Sequence, residues 1–385
     1  MTGWAAVAGS VAAYSALGYA SSALSPKPNI GTSGSNGYQV NTITSAAPSA
    51  IIYGETRVGG IVFYQETTNN TQYLHRCIAL AGHEVNSIGT IYLNDEALTL
   101  DEDGVCTEPS QYAGKVRVIK HLGASDQVAD DLLEAESTRW TSDHRARGIA
   151  YLYVRFEYDA DAFPNGVPTV TAMVQGKKVF NPDPYVMATE FSSNPALCLR
   201  DYLIYSGIAD SSEIDDDLFL AAASACDDTV SLLNGGSENR YTCNGSFTSD
   251  TTPQDGINRI LASMGGMIWY SQGKWGCKAA VATTASIELT EDDLRSKLSV
   301  STRNSRRDAF NKVTGIYRGE ETNYFESSYP SVESATFLQV DNNMALESEL
   351  NLPMTSTSTM AQRIAKIALY RNREQIKISG VFGMK

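Results

Sequence analysis

The sequence predicts a multidomain protein, mainly β, with an α+β domain in its middle. Three observations lead there. The chain has 385 residues, longer than a single compact core supports, so two to four domains are expected. Ala150, Leu152, Val154, Phe156 and Tyr158 alternate with Tyr151, Tyr153, Arg155 and Glu157, the period of a strand with one buried face. From Asn194 to Gly266 the pattern changes to capped amphipathic helices, whose apolar sides need a sheet to cover them.

Composition narrows the function classes. Hydrophobic residues are 42% and charged ones 19%, enough apolar mass to fold and too little charge for a disordered chain. The net charge of -14 argues against a direct grip on a nucleic-acid backbone, which needs clustered Lys and Arg. It suits a surface past which DNA slides without sticking. Twenty Tyr favour partly exposed sheets. The six cysteines, Cys77, Cys106, Cys198, Cys226, Cys243 and Cys277, lack Cys-x-x-Cys spacing and a nearby His, so reduced, mostly buried thiols are expected over a disulfide framework or a zinc site.

The elements follow in order. Residues 1–45 form an apolar arm and linker: the first 26 residues carry no charge, and Trp4 to Leu24 are mainly Ala, Gly, Ser and Tyr. No Lys or Arg precedes the apolar run, as a secretory signal would require, and Ala, Gly and Ser give little transfer energy into a bilayer, so a buried or intersubunit arm is favoured over a membrane-active segment or a disordered end. Pro26 to Gly37 is a linker. Residues 46–180 read as a β-rich domain. Ile51 to Tyr53 and Ile61 to Tyr64 flank Gly54 to Gly60, expected as a tight or bulged reversal. Ile91 to Leu93 and Ala97 to Leu100 form a hairpin about Asn94-Asp95-Glu96. A helix is expected from about Asp126 to Ala135 with Val128, Leu132 and Ala135 on one side. Thr169 to Val174 and Lys178 to Phe180 close the domain through Gln175-Gly176-Lys177.

Residues 181–282 read as α+β. Asn194, Asp215 and Thr252 are predicted helix caps, with Pro195 and Pro253 at first helical positions and Gly207 and Gly265-Gly266 past the ends. Ile257, Ile260, Leu261 and Met264 make one apolar stripe, and Met267 to Tyr270 with Trp275 to Ala279 supply two strands. Residues 283–385 return to strands, the clearest from Phe310 to Tyr317, followed by a helix from about Thr359 to Arg371. Thr359 and Gln362 have capping-box spacing, and Met360, Ile364 and Ile367 face one way. A strand pattern begins at Ile376 and Ile378, so this last domain reads as incomplete.

No catalytic, cofactor-binding or metal-binding residue is expected. Ser142-Asp143-His144 has triad residue types, but adjacent side chains diverge and cannot share one proton relay. Gly31 to Gly37 lacks the Lys-Ser/Thr of a phosphate loop. Asp101 to Gly104, and Asp159 and Asp161 with Asn165-Gly166, read as turns rather than calcium loops, and Asp215 to Asp217 as capping. His75, His83, His121 and His144 are isolated. Asn69-Asn70-Thr71 and Asn244-Gly245-Ser246 match glycan acceptors only formally.

Three elements in succession carry a family resemblance: the helix Asn194-Pro195 to Leu203, the segment Arg240-Tyr241-Thr242-Cys243-Asn244-Gly245-Ser246-Phe247, and the helix and aromatic hairpin from Thr252-Pro253 to Trp275. That succession resembles the central tail-hub, or tail-tip attachment, proteins of lambda-like long-tailed bacteriophages and gene transfer agents. Tyr53 to Tyr64, Val167 to Pro182 and the approach to Asn311-Lys312-Val313 extend it over residues 46–385. The resemblance implies hub-type, β-barrel-like domains arranged around a central channel, and a virion protein of the tail tip assembled in the host cytoplasm. It implies a homotrimer that closes the tail tube and opens for DNA ejection. Its partners would be distal tail and tail-tip proteins, the tape-measure protein and receptor-binding or fibre proteins, with DNA passing unbound. The rival readings are a baseplate hub of a contractile tail or tailocin, a tail-associated cell-wall hydrolase, and a membrane-inserting ejection protein.

Overall fold

The computed structural model describes residue 39 and residues 41–43, 47–282, 288, 290–302, 308–374 and 376–382. The arm Trp4 to Leu24, the linker Pro26 to Gly37 and the arginine-rich 303–307 lie outside the described residues.

The first strands are β1 (Asn41–Thr42), β2 (Ala50–Tyr53), β3 (Glu55–Val58), β4 (Gly60–Thr68), β5 (Tyr73–Ala81), β6 (Ser87–Leu93), β7 (Glu96–Leu100), β8 (Cys106–Glu108), β9 (Val116–His121), β10 (Ala150–Glu157) and β11 (Val170–Gln175). One sheet runs β1-β4-β5-β10-β9 and the other β3-β11-β6-β7-β8. The period of two in β10 places Leu152, Val154 and Phe156 in the core between the sheets, with Ile78, Ile91 and Val170. Tyr151 and Tyr153 point to the opposite face. Among the described residues the sheets form an open sandwich without ladder closure into a barrel. One side is bridged by the single pair Val105–Arg117. On the other, the Asn41 side chain donates to the Val170 carbonyl at 2.9 Å and accepts from its N–H at 2.7 Å.

The segment Gly54 to Gly60 differs from expectation. It is not a reversal but contains β3, whose Thr56, Arg57 and Val58 pair with Val174, Met173 and Ala172. Gly54 makes the corner at φ 64, and a Cβ there would lie 2.0 Å from the Cys243 carbonyl oxygen, so the close approach requires glycine. The hairpin about Asn94-Asp95-Glu96 is present. Asn94 and Asp95 take φ 46 and 71, the two left-handed positions of a type I′ turn, while Glu96 joins β7.

Residues 122–149 cross the outer face of the first sheet. Their helix, α1 (Asp131–Glu136), starts later than expected, capped by Asp130, which accepts from the Leu133 N–H at 2.7 Å. The predicted stripe does not turn inward: Val128 and Leu132 are exposed, and Ala129 and Leu133 are buried instead. The cause is Gln127, whose side chain accepts from Gly123 N–H and donates to the carbonyls of Arg145 and Ala146. Such side-chain bonds to backbone compete with helix and shift the register before the cap.

The next elements are β12 (Lys178–Asn181), β13 (Ala188–Phe191), α2 (Pro195–Tyr205), α3 (Asp216–Asp227), β14 (Thr229–Ser231), β15 (Ser237–Asn239), β16 (Gly245–Thr248), α4 (Pro253–Ala262), β17 (Met267–Ser271) and β18 (Lys274–Lys278). Asn194, Asp215 and Thr252 cap their helices as predicted, accepting from Ala196, Leu218 and Asp255. Gly207 and Gly265 take φ 71 and 54 beyond helix ends. Strand β2 pairs with β16 and serves two cores. Ile52 belongs to the sandwich, whereas Ile51 and Tyr53 enter a larger core with Leu199, Phe219, Phe247 and Ile260.

That larger core continues past residue 282. The last elements are β19 (Ser299–Ser301), β20 (Lys312–Thr314), β21 (Ile316–Arg318), β22 (Glu326–Ser328), β23 (Val332–Glu333), α5 (Ala335–Val340), β24 (Glu347–Glu349), α6 (Ser358–Asn372) and β25 (Lys377–Ser379). Met360, Ile364 and Leu369 of α6 pack into it, together with Val313 and Tyr317. The expected strand Phe310 to Tyr317 is divided at Gly315 into β20 and β21, and the close approach there requires glycine, since a Cβ would lie 2.0 Å from the Leu350 carbonyl oxygen. The cap of α6 is Thr357, which accepts from Met360 N–H. Thr359 instead donates to Glu238 at 2.8 Å, and Gln362 to the Pro330 carbonyl.

Candidate functional site

The densest polar chemistry lies on the outer face of the first sheet, under residues 131–146. Strand β4 delivers Glu66, a buried carboxylate. It accepts from Tyr64 Oη at 2.6 Å, Ser137 Oγ at 2.6 Å, the Thr138 N–H at 3.3 Å and the Thr138 hydroxyl. Burial works to raise its pKa, but the hydrogen bonds from Ser137, Thr138 and Tyr64 outweigh it and hold the group at about 2. Beside it, Glu136 is clamped by Arg117 at 3.0 Å and Arg155 at 2.9 Å. His75 is fully buried between Thr68 Oγ1 at 2.8 Å and Tyr153 Oη at 2.9 Å. Burial lowers its pKa, with Glu136 acting the other way.

This arrangement fastens the crossing segment to the sheet. Glycoside hydrolysis needs one carboxyl group protonated near neutrality, and Glu66 lies far on the ionised side. Trp140 closes the network from above, its ring 5.0 Å from Tyr64 and 4.9 Å from His144.

The residues weighed from sequence are not brought together. His144 Nδ1 accepts from the Thr141 N–H at 3.0 Å, while the Ser142 N–H donates to Glu134. Asp101 accepts from the N–H groups of Asp103 and Val105, and Asp159 from those of Asp161 and Ala162, which makes both turns. Among the described residues no group of three or more His, Cys, Asp or Glu is placed to hold a metal ion. All six cysteines are free and buried, and burial raises the Cys226 thiol to about 12, away from a reactive thiolate. A concavity of about 160 Å³ beside Asn94, Tyr112, Phe163 and Pro168 is smaller than a usual small-molecule site. No helix among the described residues is long and apolar enough to cross a membrane.

The surface is where apolar groups remain uncovered. Tyr185, Val186 and Met187 stand out at the tip of the β12–β13 hairpin, and Leu298, Val300, Ile376 and Ile378 on the β19–β25 ribbon. Neither Glu66 nor this tip is expected from the sequence. The available signal for the tip was a Pro-Asp-Pro turn followed directly by Tyr-Val-Met.

No protein-family model matches the chain, and no curated protein does. Among solved structures, a chain of the virion of a native gene transfer agent particle matches with a TM-score of 0.67 at 14% identity, over 98% of this chain and 87% of that one. The 43 kDa tail protein of prophage MuSo2 from Shewanella oneidensis aligns over 84% of this chain and 79% of its own, at 10% identity and a TM-score of 0.24, too loose for a shared fold. The chain thus shares the fold of the gene transfer agent virion chain over 98% of its length.

Proposed function

We propose that this chain is the central hub of a phage-type tail tip. Three copies close the distal end of the tail tube, hold distal tail, tape-measure and receptor-binding or fibre proteins, and open for DNA ejection. The protein acts by assembly and not by catalysis, in the virion, with its β domains around a central channel. The observation that carries this reading is the fold likeness to a virion chain over 98% of the sequence. The succession of helix, strand and aromatic hairpin between residues 194 and 278 supports it independently. The net charge of -14 supports passage of DNA without tight binding.

Gold-labelled antibody against this chain, applied to intact tailed particles, should mark only the end of the tail away from the head. Label along the tube or on the head would sink the reading. Clearing of a peptidoglycan gel by the purified chain would replace it with a hydrolase.

A further inference from the structure

One buried histidine has partners that leave it a single protonation state. His83 lies in the turn after β5 and is buried. Its Nε2 accepts from the Ile52 N–H at 3.0 Å, and its Nδ1 donates to the Glu84 carbonyl at 2.8 Å. An amide N–H can only donate and a carbonyl can only accept, so the ring is neutral with its proton on Nδ1. His75 is buried too, but its partners are the hydroxyls of Thr68 and Tyr153, which turn to donate or to accept. His121 faces the carboxylate of Asp130, and His144 is exposed. A proton added to Nε2 of His83 would set N–H against N–H.

The bond sits on the strand that serves both cores. Strand β2 pairs with β16 on one edge. On the other, the Ala50 carbonyl accepts from the Gly82 N–H at 3.0 Å, the Ile52 carbonyl from the Lys177 N–H at 2.9 Å and the Gly54 carbonyl from the Gly176 N–H at 2.8 Å. The His83 ring joins this row in the place of a neighbouring strand's carbonyl. Ile52 is fully buried, and an N–H deprived of its acceptor at that depth keeps the whole cost of leaving water. Around the ring, the Glu84 carboxylate pairs with Lys178 at 3.2 Å, and Lys177 of the β11–β12 corner pairs with Asp201 of α2 at 2.7 Å. Tyr53 of β2 donates its hydroxyl to the same Asp201.

We propose that His83 is a proton-sensitive pin. Neutral, it holds β2 to the sandwich; on taking a proton it releases the Ile52 N–H, so the joint between the two cores is firm at neutral pH and weakens in acid. Burial lowers the ring's pKa from its ordinary 6.5, the Glu84 carbonyl acts the other way, Lys177 adds to the lowering and Asp201 opposes it. The unfolded chain therefore takes up this proton before the folded one. Stability is complete above pH 6.5 and is lost as the pH falls from there to the folded ring's own pKa. The pin acts within one chain and stands whether or not copies assemble as proposed above.

The test uses the purified full chain. His83→Gln keeps an acceptor for the Ile52 N–H in its amide oxygen and removes the site that binds the proton. In urea unfolding, the folding equilibrium constant of wild type should fall relative to that of His83→Gln by up to about tenfold per pH unit below 6.5. Amide exchange, corrected for the intrinsic effect of pH, should show residues 50–53 losing protection in acid in wild type and not in the variant. The same pH dependence in both chains overturns the pin. A second measurement needs no variant: in wild type labelled with nitrogen-15, the ring that couples to the Ile52 amide across their hydrogen bond should carry its proton on Nδ1 and stay neutral below pH 6.5. A proton on its Nε2, or titration at or above 6.5, overturns the proposal even if His83→Gln fails to fold.

Discussion

Replacing Glu66 with Gln removes one charge and turns half of an acceptor into a donor, facing hydroxyls of Tyr64, Ser137 and Thr138 that all donate to it. The carboxylate's ordinary pKa of 4.5 falls to about 2 in the fold, which bounds its contribution near ~3 kcal/mol. Arg139, the ion-pair partner at 3.7 Å, is 73% exposed, so its share is screened and about 2 kcal/mol is the expected loss. The sign follows from a folded pKa below the unfolded one. The stabilisation is complete above pH 4.5 and disappears as the pH falls toward about 2. Urea unfolding of wild type and Glu66→Gln, followed by tryptophan fluorescence from pH 7 down to about pH 3, should show a gap that narrows on acidification. Amide exchange in residues 131–146 should accelerate roughly 30-fold at neutral pH. A variant as stable as wild type at pH 7, or a gap that stays constant down to pH 3, would refute the role given to this carboxylate.

Three other outcomes are expected. Gly315→Ala forces a Cβ to within 2.0 Å of the Leu350 carbonyl oxygen and should lower stability by roughly 2–4 kcal/mol; an unmoved urea midpoint would disprove the close approach. Asp201→Ala strips the acceptor from Tyr53 Oη at 2.7 Å and from Lys177 Nζ at 2.7 Å, for a loss of about 2–3 kcal/mol. Asp201→Asn should recover part of that, and equal stability of both variants would count against the hydrogen bond from Tyr53. Deleting residues 1–30 should leave the unfolding free energy within ~0.5 kcal/mol of wild type while impairing assembly or DNA retention; loss of cooperative unfolding would place the arm inside the core.

Helix termini were legible because caps are local. Asn194, Asp215 and Thr252 each satisfy a backbone N–H two or three residues away, so the pattern that signals them lies within one turn. Strand partners were not legible. Phe247 pairs with Ile51 across the chain, and nothing near Gly54 announces that Glu55 to Val58 will meet β11. The same distance hid Glu66, whose donors Ser137 and Thr138 lie 71 and 72 residues away. Val128 and Leu132 misled for a different reason: helical spacing is a statement about helix, and Gln127 holds the backbone out of helix just before Asp130. The turn at Asn181 to Pro184 could be read, but not that the residues after it would stay in water.

The placement of β2 bears on how the proposed hub would open. Ile52 faces one core while its neighbours Ile51 and Tyr53 face the other. Separating the sandwich from the helical unit would expose both sides of one strand and break its four paired positions with β16. Gly176 adds to this joint, since a Cβ there would lie 2.2 Å from the Ile52 carbonyl oxygen, and so does the Tyr53–Asp201–Lys177 cluster. A strand shared in this way carries no hinge, because neither side can relax without the other. In the proposed trimer, the movement that opens it would therefore belong to contacts between copies.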